Sequence, residues 1–132
     1  MSGFVGTWKL ESSENFDDYM KAIGVSFMIR KMAATAKPEQ TIVQDGEDEY
    51  TITTKTSFKT TVLKFKLGVE FDHETPDGRK VKSLVTKESD DKWKQVDKGD
   101  KEVITFRQII DGCYIMTMEF NGVRCVRKYV KA

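Results

Sequence analysis

Turn signals recur along most of the chain, at Asp45-Gly46, Leu67-Gly68, Asp77-Gly78, Ser89-Asp90-Asp91, Lys98-Gly99-Asp100, Asp111-Gly112 and Asn121-Gly122. Val-, Ile-, Thr- and Phe-rich runs fill the intervals, which predicts consecutive antiparallel strands that close into a barrel or pack as a sandwich. One region breaks the rhythm. Phe16, Tyr19, Met20 and Ile23 fall at i, i+3, i+4 and i+7, the spacing of one helix face, with Asn15 as expected N-cap, Asp18 in the capping-box position and Gly24 as terminator. Ser26 is placed to cap a second helix running from Phe27 to about Ala36, before Pro38. The reading is therefore a strand around Thr7-Trp8-Lys9-Leu10, a helical hairpin at about 16–36 whose apolar stripe closes the core, and eight or nine further strands.

A two-residue hairpin loop fixes which residues oppose one another, so the last strands can be aligned by counting. With Asp111-Gly112 as a loop, Ile110 meets Cys113 and Arg107 meets Met116. With Asn121-Gly122 as another, Phe120 meets Val123 and Met116 meets Arg127. Arg107, Met116 and Arg127 then form one row on one face of three strands, the arginines roughly 10 Å apart at two strand spacings. Tyr129 lies two residues further along that face. Arg124, Val126 and Lys128 include two charges and read as outward, so Val123, Cys125, Arg127 and Tyr129 read as inward, beside Tyr114, Met116, Met118 and Phe120. An unpaired buried guanidinium costs several kcal/mol. A one-residue slip of register would return the arginines to the surface, and a buried acid such as Glu119 would neutralise them, although Glu119 falls on the opposite face to Met118. A ligand carboxylate satisfies the row better, taking a fork of donors from Arg127 with the Tyr129 hydroxyl, and Arg107 directly or through water. The inward Met and aromatic residues suit a long flexible apolar tail.

The remaining composition narrows the function classes. The 132 residues fit one domain, spanning residues 1–132, and 22 basic against 21 acidic residues leave a net charge of +1, with both halves near neutral. That balance argues against a nucleic-acid partner. No apolar stretch approaches the ~20 residues of a membrane span, and Met1-Ser2-Gly3-Phe4 lacks the basic and apolar parts of a signal peptide, so a cytoplasmic location is expected. Cys113 and Cys125 read as reduced residues, because the register places them five rows apart. His73 is the one histidine, read as a solvated turn residue, and no metal-ligand spacing or nucleophile motif accompanies it. No metal, cofactor or catalysis is expected.

Gly6-Thr7-Trp8-Lys9-Leu10 followed by Asn15-Phe16-Asp17-Asp18-Tyr19-Met20-Lys21-Ala22 closely resembles the N-terminal signature of intracellular lipid-binding proteins. The likeness continues through Arg30-Lys31, Ser57-Phe58-Lys59, Phe65-Lys66-Leu67-Gly68, Glu70-Phe71-Asp72, Asp77-Gly78-Arg79-Lys80-Val81-Lys82-Ser83 and Cys125-Val126-Arg127-Lys128-Tyr129, covering essentially the whole chain. It is similar to the fatty-acid-binding branch with the heart, adipocyte and myelin members, with the retinoic-acid binders nearby. The resemblance implies an all-β fold, a ten-stranded antiparallel up-and-down β-barrel of the lipocalin-like calycin type. A helix-turn-helix lid covers its water-containing cavity.

It also implies that Arg107, Arg127 and Tyr129 hold a fatty acid's carboxylate. Phe16, Tyr19, Met20, Met116 and Met118 would line the cavity, with its portal at the second helix and the turns around Phe58 and Pro76-Asp77. His73 and Pro76 depart from the usual pattern, where an acid and a small residue are common, and bear on ligand exchange. Lys21, Arg30 and Lys31 correspond to basic residues that touch anionic membranes during delivery and in some members form a nuclear-import patch. The expected molecule is a monomeric cytoplasmic carrier of long-chain fatty acids, with nuclear entry in some relatives. Retinoic acid needs the same arginines and a different tail cavity. A membrane-apposing myelin-type role would favour a more basic surface than +1.

Overall fold

Ten strands and two helices follow one another as β1 (Gly6–Glu14), α1 (Phe16–Ala22), α2 (Phe27–Thr35), β2 (Glu39–Gln44), β3 (Glu49–Lys55), β4 (Thr60–Lys66), β5 (Phe71–Glu74), β6 (Lys80–Ser89), β7 (Lys92–Lys98), β8 (Val103–Ile110), β9 (Cys113–Phe120) and β10 (Val123–Lys131). This is a computed structural model, and it describes residues 3–57, 59–75 and 78–132. All ladders are antiparallel, in the order β4-β3-β2-β1-β10-β9-β8-β7-β6-β5, so β1 pairs with β10 and the meander curls into a barrel. Between β4 and β5 no ladder forms among the described residues. There the Gly68 N–H donates to the Val85 carbonyl at 2.8 Å, and the Phe65 and Phe71 rings stack with centroids 6.3 Å apart.

The two tight hairpins take the form the counting requires. Asp111 and Gly112 have φ of 51° and 77°, and Asn121 and Gly122 have 48° and 81°, the left-handed pair of a type I′ turn whose twist matches the strands. Ile110 therefore faces Cys113, Arg107 faces Met116, and Met116 faces Arg127. Cys125 pairs with Met118, far from Cys113, and both thiols are free.

The interior has two apolar layers. At the end away from the helices, Phe4 stacks on Trp93 at 3.8 Å, and Trp8, Tyr50, Phe65 and Tyr114 fill the space around them. The Trp8 indole donates to the Phe4 carbonyl at 2.9 Å, which satisfies the buried ring nitrogen. At the other end Tyr19, Met20, Ile23 and Val25 pack on Val103 and Cys125, so the helical stripe does close the core. The helix starts divide. Ser26 Oγ accepts from the Ile29 N–H at 3.4 Å, as its position predicts. Asn15 instead adopts a left-handed backbone with φ of 59° and makes no side-chain cap; its amide donates to the Arg124 carbonyl at 3.3 Å, tying the lid to β10. The capping box expected from Asn15 and Asp18 is thereby replaced by a tertiary contact.

Candidate functional site

A cavity of about 500 Å³ lies between the aromatic end and the helices. Phe16, Tyr19 and Met20 of α1, Met116 and Met118 of β9, and Arg107, Arg127 and Tyr129 all line it. Phe58, Pro76 and Asp77, expected at the portal, lie outside the described residues. The hairpin counting is thus correct about the row's face: Arg107 is 6% exposed and Arg127 4%.

The arginines differ in how their charge is met. Arg107 donates from Nε and Nη2 to Gln95 Oε1 at 3.1 and 2.8 Å, and from Nη1 to the Tyr114 hydroxyl at 2.6 Å. Gln95 Nε2 donates in turn to Asp97 Oδ1 at 3.0 Å, and Ser83 Oγ donates to the same oxygen at 2.5 Å. Gln95 therefore relays between a buried cation and a buried carboxylate. Burial pushes the Tyr114 phenol above its ordinary value of 10, while Arg107 pulls it back. Compensation of Arg107 comes from within the wall, through residues the sequence reading did not select. Trp93 pairs with Arg107, and Gln95 and Asp97 share its inward parity on β7, a register that no two-residue turn fixes from the sequence.

Arg127 has less protein around it. Its Nη1 donates to Ser13 Oγ at 3.3 Å, and its guanidinium lies 3.7 Å from the centroid of the Phe16 ring. Tyr129 packs its ring against Tyr114 at 5.4 Å and makes no hydrogen bond through its hydroxyl among the described residues. Across the cavity, Gln40 Nε2 and Arg107 Nη1 both approach Met116 Sδ, at 3.3 and 3.5 Å. Glu119 faces outward and pairs with Arg124 at 3.7 Å.

Two sequence expectations change. His73 is not a solvated turn residue: it lies on β5, half-buried, lining both the cavity and a shallow groove outside β5 and β6. Desolvation lowers its pKa from 6.5, with Arg107 acting in the same sense and Asp97 and Glu74 against it. Cys125, fully enclosed, has its thiol pushed up to about 11 by burial and is unreactive for that reason. On the helical hairpin Lys21 and Lys31 are exposed, whereas Arg30 turns inward, its Nε 3.1 Å from Asp17 and its Nη1 donating to the Val25 carbonyl at 2.8 Å.

A barrel with a lidded apolar cavity and an inward cation opposite methionines defines a carrier of amphipathic small molecules rather than a surface-recognition module. The comparisons with known proteins agree. Residues 5–132 match the Lipocalin / cytosolic fatty-acid binding protein family, and the chain belongs to it. It is 43% identical over 133 residues to fatty acid-binding protein 5 of Pygoscelis papua, covering 100% of this chain and 98% of that one. The adipocyte fatty acid-binding protein of the same species is 47% identical over 130 residues, 98% of this chain and 97% of the other. The solved Schistosoma mansoni fatty acid binding protein, in complex with arachidonic acid, superposes with a TM-score of 0.95 at 37% identity, covering 100% and 98% of the two chains.

Proposed function

We propose that this chain binds long-chain fatty acids one at a time and carries them through the cytoplasm as a monomer. The observation that carries the reading is Arg127, a buried guanidinium with one hydroxyl and one aromatic face as partners, opening onto a methionine-lined cavity beside the Tyr129 hydroxyl. A carboxylate there takes a charge-assisted fork from Arg127 and Tyr129, while Arg107, already held by Gln95, contributes field more than direct contact. The similar proteins named for fatty acids support that choice of ligand.

Magnitudes separate the roles of tail and head. Burying about 14 methylenes contributes on the order of 11 kcal/mol at ~0.8 each, before the cost of ordering the ligand is subtracted. Head-group hydrogen bonds to charged donors add about 1.5–3 kcal/mol each. The tail thus sets affinity, and Arg127 selects what the tail is attached to.

Delivery would use the lid. Phe27 and Met28 are 68% and 75% exposed on the same helical hairpin as the exposed Lys21 and Lys31, a combination that suits brief contact with an anionic bilayer surface. Native mass spectrometry with lipid analysis of the purified protein tests the central claim. A one-to-one complex with 16- or 18-carbon acids is expected. A protein that takes up retinoic acid far more tightly than oleate would replace fatty acid by retinoid, and one that binds neither would end the carrier reading.

A further inference from the structure

Asp97 is the unusual group in this cavity. It is 6% exposed, it lines the cavity, and both of its wall donors, Ser83 Oγ and Gln95 Nε2, bond to Oδ1. Oδ2 receives no hydrogen bond from the described residues, although a carboxylate oxygen has room for two. His73 lines the same space, close enough to feel the charge of Asp97, and its ring makes no hydrogen bond among the described residues. A plain hydrocarbon tail lying across this wall displaces water from an ionised oxygen and returns nothing, which costs affinity.

We propose that Asp97 and His73 form a second recognition site in the cavity, for a hydroxyl group carried on the ligand's hydrocarbon chain. The inference rests on the fatty-acid reading of the cavity and specifies which fatty acids fit it best. An aliphatic hydroxyl donates to Asp97 Oδ2 in a short charge-assisted bond, and its oxygen accepts from an imidazole N–H.

Register places the hydroxyl. Trp93 on β7 pairs with Arg107, and Asp97 lies four residues beyond it, about 13 Å at ~3.3 Å per residue. The displacement runs toward the helices, because Asp97 pairs with Val103, which packs under α1, and Lys101 in the following turn donates to the Ile23 carbonyl. A ligand anchored at the arginine row and running toward the lid passes Asp97 with the middle or far part of its chain. A hydroxyl next to the carboxylate does not reach it.

The test is competitive displacement of a fluorescent fatty acid by octadecanoate, 2-hydroxyoctadecanoate and 12-hydroxyoctadecanoate, on the wild type, Asp97→Leu and His73→Phe. The wild type is expected to bind the 12-hydroxy acid roughly tenfold more tightly than the plain acid, the worth of one strong hydrogen bond plus a spared desolvation, with no such gain for the 2-hydroxy acid. Asp97→Leu should abolish that ratio, and His73→Phe should shrink it. The ratio compares ligands with the same carboxylate, so any effect of Asp97 on Arg107 cancels. Equal affinities for plain and 12-hydroxy acids in the wild type, or a ratio unchanged in both variants, overturns the proposal while leaving fatty-acid binding intact. If Asp97→Leu does not fold, the wild-type ratio and His73→Phe decide. A wild type that binds none of the acids overturns the carrier reading itself, and the second site with it.

Discussion

Arg107 and Arg127 carry the same charge on the same row, but their surroundings give them different work. Gln95 and Tyr114 enclose Arg107 and link it to Asp97, so much of its positive charge is answered within the wall. Among the described residues Arg127 has only Ser13 and the face of Phe16, so an incoming anion gains most there. Arg127→Gln should therefore weaken oleate by at least about tenfold, the loss of roughly one charged hydrogen bond, while oleyl alcohol changes little. Displacement titrations with the two ligands check this, and equal losses would remove Arg127 from the head-group site. Gln at this position keeps a hydrogen-bonding group in place of the guanidinium, so the variant isolates charge from packing better than Ala would.

Elements were legible in the sequence wherever local chemistry alone decides them. Asp111-Gly112 and Asn121-Gly122 specify two-residue turns, and from those turns follows the whole inward row. Gly112→Ala tests this: a Cβ there meets nothing within 4 Å, so the φ of 77° alone should cost about 1 kcal/mol, read as a lower urea midpoint at unchanged slope. Illegible features are those that distant contacts decide. Asn15 has the residue type of a cap but spends its amide on β10. His73 sits in a strand of four residues between two turns, too short for alternation to show. Gln95 and Asp97 alternate inward with Trp93 on β7, so no apolar period marks that strand's buried face. The lid's amphipathic stripe was readable, but the inward turn of Arg30 depends on its contacts with Asp17 and the Val25 carbonyl. Lys21→Glu with Lys31→Glu should accordingly slow transfer of a fluorescent fatty acid to anionic vesicles, and Arg30→Glu should instead loosen the hairpin. Transfer rates indifferent to the lysine reversals would place delivery elsewhere on the molecule.

For the whole molecule, the cavity sets the balance between stability and function. An empty apolar void of about 500 Å³ would cost on the order of 12 kcal/mol at ~24 cal/mol per Å³, comparable to the entire stability of a domain. Arg107, Gln95, Asp97 and Thr105 make one wall polar, so water can occupy the space and that cost is not incurred in full. A bound ligand adds stability by mass action, about 2.7 kcal/mol at a hundredfold excess over Kd. The half-buried His73 on that wall makes the balance depend on pH. Desolvation holds its folded pKa below 6.5, so between that lower value and 6.5 the unfolded chain binds more protons than the folded one. Stability must then rise with pH through this window, and fall as the pH drops below about 6.5. His73→Gln removes the titrating group, so its urea midpoint should change less than the wild type's between pH 7 and pH 5.5. Parallel curves for the two proteins would mean that His73 is solvated in the folded state, and would also remove it from the cavity wall on which the hydroxyl site depends.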